Sequence, residues 1–304
     1  MIPLQPLFRR TLSTERNDIG KIFFKENVQK ILKDITRYDE KKIFARRPVK
    51  YLKTPKIMFM SNEQLEKAKM EAYEQVQGRL QMPPVLEPDN SPPAVISRDE
   101  EIVGYTKFKI MFIDIGPGYT RKNRLMSVRE PDGTLRFPTH EERSRLNHMF
   151  FPDPSASIDP PKLFEAEHLS KLLESKKYLY VLNRACVQFE PDDPRYVDAT
   201  RRVYDHIDHK SDFDYLRSTR HFGPMSLYLA YNKRADNLLL EMLSKDLVED
   251  AVKLIQVYYT CHGIDYRDDE NSPIDVLKEY ADSHSAKKYN LDLAIQKLEQ
   301  KPAE

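Results

Sequence analysis

Asp212-Phe-Asp-Tyr-Leu-Arg-Ser-Thr-Arg-His-Phe-Gly-Pro-Met-Ser-Leu-Tyr-Leu-Ala-Tyr231 is the stretch on which the fold turns. It reads as one short helix, a Gly-Pro break and the start of a second helix. Asp212 or Asp214 offers a carboxylate to the free N–H groups of a helix start, and Phe213, Leu216, Phe222, Leu227 and Tyr231 supply apolar anchors. Gly223 tolerates a dihedral that other residues resist, and Pro224 fits the first turn of the next helix, where no N–H is needed. Arg217 and Arg220 stand three apart on one face. Such a pair either holds a phosphate or closes a salt bridge to Asp205, Asp208 or Glu241, and the spacing favours the salt bridge. Asp214, Arg217, Arg220, Gly223 and Pro224 therefore form a candidate structural joint.

Helical patterns lie on both sides of this joint. Upstream, Leu179, Leu182, Cys186 and Phe189 step by three or four to a stop at Pro191, and Asp193-Pro194 starts a helix carrying Tyr196, Val203, Tyr204 and Ile207. Downstream, Leu240, Leu243, Leu247, Ala251, Leu254, Tyr258 and Cys261 form one long apolar stripe ended by Gly263. Ser272-Pro273 opens a final helical pair with Leu277, Tyr280, Leu291, Ile295 and Leu298 as its apolar side. Residues 163–304 thus read as an α-helical array, close to a solenoid but without a strict repeat.

The first half is organised differently. Proline-rich 152–162 is a linker, and 61–151 reads as a helix plus a small antiparallel sheet. Ser61-Asn-Glu-Gln64 is a capping box for a helix with Leu65, Ala68, Ala72, Val76 and Leu80, ending before Pro83-Pro84. Residues 82–98 read as a strap. Alternation over 105–115 and 124–129, then a Pro131-Asp132-Gly133 turn into 134–137, predicts about three strands. Thr139-His-Glu-Glu142 caps a helix reaching Phe150. The fold class is α+β, predominantly helical, behind a basic N-terminal arm.

That arm, 15–60, holds one helix with Val28, Ile31, Leu32 and Ile35 on a face. Residues 1–60 carry 15 Lys/Arg against 6 Asp/Glu, whereas the whole chain of 304 residues has a net charge of only +1. Lys41, Lys42, Arg46, Arg47, Lys50 and Lys53 are interleaved with Phe44 and Tyr51, and Pro48 and Pro55 keep the run extended. Such a run follows a phosphate backbone while its rings stack on unpaired bases, so these cations are candidate RNA contacts. Arg121, Lys122 and Arg124 form a basic tip between two strands and join that set. Residues 1–14, with arginines and hydroxyls but no acid, have the composition of a mitochondrial targeting peptide, cut before Ser13.

Several function classes are disfavoured by what the chain lacks. Eight glycines against 21 prolines offer no phosphate-cradling loop, and Asp114-Ile-Gly-Pro-Gly118 reads as a turn leaving a strand. Cys186 and Cys261 read as packed thiols in a reducing compartment. His206 and His209 are spaced to share a metal but sit at a polar helix end without further ligands, which reads as a solvated terminus. No catalytic motif, cofactor site or small-molecule site emerges, and no apolar run is long enough to span a membrane.

Asp214-Tyr-Leu-Arg-Ser-Thr-Arg-His-Phe-Gly223 also resembles the signature segment of a family of mitochondrial small-subunit ribosomal proteins, the twenty-second in that subunit's naming. Four further blocks resemble the same family in the same order: Arg79-Leu-Gln-Met-Pro-Pro-Val-Leu86, Val128-Arg-Glu-Pro-Asp-Gly-Thr-Leu-Arg136, Glu141-Glu-Arg143 and Gln188-Phe-Glu-Pro-Asp192. The resemblance covers about residues 60–262, and Pro224 stands where the family pattern leads one to expect a second glycine. The resemblance implies a non-enzymatic component of the mitochondrial small ribosomal subunit, an animal addition without a bacterial counterpart. Its implied partners are small-subunit rRNA and neighbouring ribosomal proteins, and it carries no catalytic residues. The alternative reading is a mitochondrial helical adaptor that binds RNA or protein off the ribosome.

Overall fold

Asp18 begins the first helix: its side chain accepts from Gly20 N, and α1 (Ile19–Phe23) follows. The computed structural model describes residues 18–44, 57–119, 123–152, 155–264 and 272–300. In α2 (Glu26–Thr36), Val28, Leu32 and Ile35 are buried, as their spacing predicts. Asp39 caps α3 (Glu40–Ile43), so Lys41 and Lys42 lie on a short helix rather than in the extended run expected of them. Both halves of the Ser61 capping box form at the start of α4 (Asn62–Arg79). Only Val76 of that helix is buried, against the longer apolar face expected, and Leu65, Met70 and Tyr73 face solvent.

The sheet has four strands, not three. β1 (Val95–Arg98), β2 (Ile110–Ile113), β3 (Met126–Arg129) and β4 (Thr134–Arg136) pair antiparallel in the order β1-β4-β3-β2. β1 lies inside the stretch read as a strap, because Pro92-Pro93 directly before it hide an edge strand. The turn into β4 forms as predicted, with Gly133 at φ 79° and Asp132 accepting from Thr134 N. A Thr139–Glu142 capping box then starts α5 (His140–Phe150). Arg136 on β4 bonds both Glu130 and Glu142, tying the sheet to α5. The Arg136 hydrogen bonds hold the Glu142 carboxyl down at about 2 against the cost of its burial.

The array comprises α6 (Ala166–Glu174), α7 (Tyr178–Gln188), α8 (Pro194–Lys210), α9 (Phe222–Tyr231), α10 (Asp236–Ser244), α11 (Val248–His262), α12 (Pro273–Ser283) and α13 (Lys288–Glu299). The long stripe at 240–261 is broken into α10 and α11, with Asp246 at φ 58° between them. The buried face of α7 holds Tyr178, Val181, Leu182 and Ala185, while Leu179, expected inside, is exposed. Tyr178 sets that rotation by donating its hydroxyl to Asp212 at 3.0 Å. No described helix is long and apolar enough to cross a membrane.

One core joins the described part of the N-terminal arm to the array. α2 packs on α9 and α11, α1 packs on α11, and Ile19, Phe23, Leu32 and Ile35 share a continuous buried cluster with Phe222, Leu227, Leu254 and Ile255. Each such side chain contributes roughly 1.5–3 kcal/mol of burial. Residues 18–44, within the 15–60 arm, thus pack against the array. Charge asymmetry pointed to an appendage, whereas the apolar face of α2 required a partner.

Candidate RNA and protein interface

The joint is built on a left-handed serine. After α8, Phe213–Tyr215 makes a single 3-10 turn without a side-chain cap from Asp212 or Asp214. Asp212 instead accepts from Tyr178 and pairs with Lys176 at 2.8 Å. Ser218, at φ 61°, makes the reversal and donates its N–H to Thr36 O at 2.9 Å, locking the joint to the end of α2. Gly223 and Pro224 both lie in the first turn of α9, so the expected break before that helix sits upstream of them. A Cβ on Gly223 would press on Met82 Sδ and lie 3.3 Å from Leu32 Cβ, so glycine lets the Met82 side chain and α2 approach α9 closely.

Arg217 is buried and ion-paired to Glu241 on α10, with Asp214 at 3.6 Å and the Phe222 ring 4.8 Å beneath its guanidinium. Lys245 bridges Glu241 at 2.6 Å and also pairs with Asp214, while Lys42 Nζ donates to Asp214 O at 2.7 Å. Burial opposes the charge on Lys245, but hydrogen bonds to Asp214 and Glu241 outweigh it and raise its pKa. Of the partners the spacing allowed Arg217, the structure selects Glu241. Arg220 has a neutral partner: its Nε and Nη2 donate to Asn183 Oδ1 at 3.0 and 2.6 Å. His221 beside it is fully buried, and desolvation reinforced by Arg220 pushes its pKa down to about 3.

The candidate RNA contacts are placed unevenly. Lys41 and Lys42 are exposed on α3, whereas Arg46, Arg47, Lys50, Lys53, Arg121 and Lys122 lie outside the described residues. Arg124 does not project with the tip. It is buried, donates to Asp114 O at 2.5 Å and Tyr119 O at 2.8 Å, and stacks on Phe151 at 3.7 Å. Burial and the two bonds from its Nη atoms to the loop's own carbonyls turn it inward, so it is withdrawn from the contact set. His206 places Nδ1 3.2 Å from Tyr178 Oη, and burial lowers its pKa.

Sequence spacing did not reveal a cleft of about 580 Å³ between α5 and the ends of α7 and α8. Arg145, Cys186, Gln188, Arg195 and Arg220 line it, from segments far apart in the chain. Ion pairs from Arg143 to Glu190, 2.9 Å, and Arg195 to Glu141, 3.2 Å, fasten α5 to the array beside it. Gln188 also clasps Ser157, donating to its carbonyl at 2.7 Å. His140, on the cleft wall, also meets Asp89 and Asp192, the three placing ligand atoms within 4.8 Å of one another. The His140 imidazole lies 3.6 Å from Glu190.

The outer strands expose large apolar residues. Ile110, Met111 and Phe112 on β2 face solvent on both faces of the sheet, flanked by Phe108 and Tyr105, and β1 is exposed throughout. Ile57, Met58, Phe59 and Met60 are exposed as well.

Residues 21–263 match the family described as mitochondrial 28S ribosomal protein S22. The chain is 35% identical over 298 residues to small ribosomal subunit protein mS22 of Mus musculus, covering 95% of this chain and 83% of that protein. It is 34% identical over 279 residues to small ribosomal subunit protein mS22 of Bos taurus, covering 90% of this chain and 77% of that one.

Proposed function

This chain belongs to the family of mitochondrial 28S ribosomal protein S22, and from that premise we propose a structural, non-catalytic role in the mitochondrial small ribosomal subunit. Its location is the mitochondrial small subunit, in the matrix. The observation that carries the reading is a closed helical core beside a sheet whose outer strands are apolar and uncovered. A surface of that kind is tolerated where neighbours bury it. Protein neighbours cover the sheet edges and residues 57–60, while cations draw the chain onto rRNA.

For the RNA side, Lys41, Lys42, Arg46, Arg47, Lys50, Lys53, Arg121 and Lys122 neutralise phosphates without reading sequence. The test replaces the six arm cations by Gln and follows the chain's retention on purified small subunits as salt rises. The variant is expected to leave at lower salt, because each phosphate contact contributes to the salt dependence of binding. Retention identical to the parent at every salt concentration refutes the arm's role. The joint at Asp214, Arg217, Arg220, Gly223 and Pro224 has a different task, holding α2, α9 and α10 in one arrangement so that these surfaces stay in register.

A further inference from the structure

The cleft beside α5 is lined by three arginines, Arg145, Arg195 and Arg220, and by four carboxylates, Glu141, Asp159, Glu190 and Asp193. Of its charged groups, Arg195 is committed to Asp193 and Glu141, and Glu190 to Arg143 and His140. Among the described contacts, Arg145 and Arg220 meet no carboxylate, and both line the cleft. Arg220 is half-buried on Asn183, a neutral group, next to a histidine that burial keeps uncharged. Desolvating a guanidinium without a counter-charge costs free energy, which an anion entering the cleft recovers.

The walls select the kind of anion. Met82, Pro84, Pro160 and Pro191 supply apolar surface, and the volume of about 580 Å³ suits a short segment rather than a helix. Glu141, Asp159, Glu190 and Asp193 also border the space, so the repeating phosphates of a nucleic acid would meet carboxylates there. One carboxylate on an otherwise uncharged extended chain fits both conditions. We propose that the cleft receives an extended segment of a neighbouring small-subunit protein, whose side-chain or C-terminal carboxylate is held between Arg145 and Arg220. The proposal rests on the placement of the chain in the small subunit.

The test places the photo-crosslinking residue benzoylphenylalanine at Ile158, an exposed residue of the cleft wall, in the full chain expressed in mitochondria. Small subunits are isolated on a gradient and irradiated. The expected product is a ribonuclease-resistant adduct with one ribosomal protein, attached within a few residues of an Asp, a Glu or a C-terminus. Its yield falls about tenfold with Arg145→Gln, an exposed position whose replacement leaves the core intact, and returns with Arg145→Lys. An adduct on rRNA, no adduct, or a yield indifferent to Arg145→Gln overturns the proposal while leaving the chain on the subunit. A probe-bearing chain absent from the small-subunit fractions overturns the structural reading itself, and this inference with it.

Discussion

A Cβ at Gly223 would lie 3.3 Å from Leu32 Cβ and against Met82 Sδ, so an added methyl group must push aside the end of the Met82 side chain and crowd Leu32. Gly223→Ala is expected to cost about 1–3 kcal/mol in urea unfolding, the range for overpacking a filled core. Met82→Ala should then cost less in the Gly223→Ala background than in the parent, since it vacates the contested space. Arg217 makes a second demand. Arg217→Ala leaves Glu241 nearly buried, but Lys245 still neutralises it, so the expected loss is roughly 2–3 kcal/mol, below that of an isolated buried pair. Arg217→Met, which keeps the packing on Phe222, should cost less than Arg217→Ala by the same measurement. His140 adds a pH dependence. The Glu190 carboxylate 3.6 Å away raises its pKa above the ordinary 6.5 despite burial. The stabilisation is therefore complete below the unfolded value and is lost as pH rises through the folded one. Thermal melts of the parent should decline across that window on the alkaline side, and His140→Gln should flatten the decline; an unchanged profile would remove His140 from the clasp.

Five helices of the array end in one pattern that the sequence conceals. Lys177 N bonds Leu172 O, Asp212 N bonds Ile207 O, Arg234 N bonds Leu229 O, Leu247 N bonds Met242 O and Ile264 N bonds Tyr259 O. Each bond follows a residue with positive φ: Lys176, Ser211, Lys233, Asp246 and Gly263. Only the last is glycine, which is why the stop at Gly263 was legible and the break between α10 and α11 was not. Lys245-Asp246-Leu247 carries neither Gly nor Pro, so the apolar stripe ran straight through it. A left-handed lysine is costlier than glycine, so Lys233→Gly is expected to stabilise the chain by about 0.5–1 kcal/mol, read as a higher melting temperature. A lower melting temperature would show that the Lys233 side chain contributes more than its backbone conformation costs. Capping boxes at Ser61 and Thr139 and the Asp193-Pro194 start were legible because their signals are local. The cleft was not, because Arg145, Gln188 and Arg220 meet only through the packing of α5 on the array.

Across the whole molecule, the division between an inward-facing helical core and an outward-facing sheet decides how the chain works. Residues 18–44 contribute both, with Leu32 and Ile35 in the core and Lys41 and Lys42 exposed, so composition alone could not separate arm from body. The collinear blocks from 79 to 223 carried the family, since each is short but their order is specific. Phe112 lies on an exposed edge strand, so Phe112→Lys should leave the isolated chain's stability within about 0.5 kcal/mol while reducing its recovery in assembled small subunits. Equal recovery would show that this edge is not covered. The central claim is most directly tested by a sucrose gradient of mitochondrial lysate at moderate salt, following the chain against small-subunit rRNA with and without ribonuclease. The chain is expected to co-sediment with the small subunit and to shift together with the rRNA when ribonuclease is added. A chain that stays at the top of the gradient in both samples contradicts the structural role and favours an adaptor working off the ribosome.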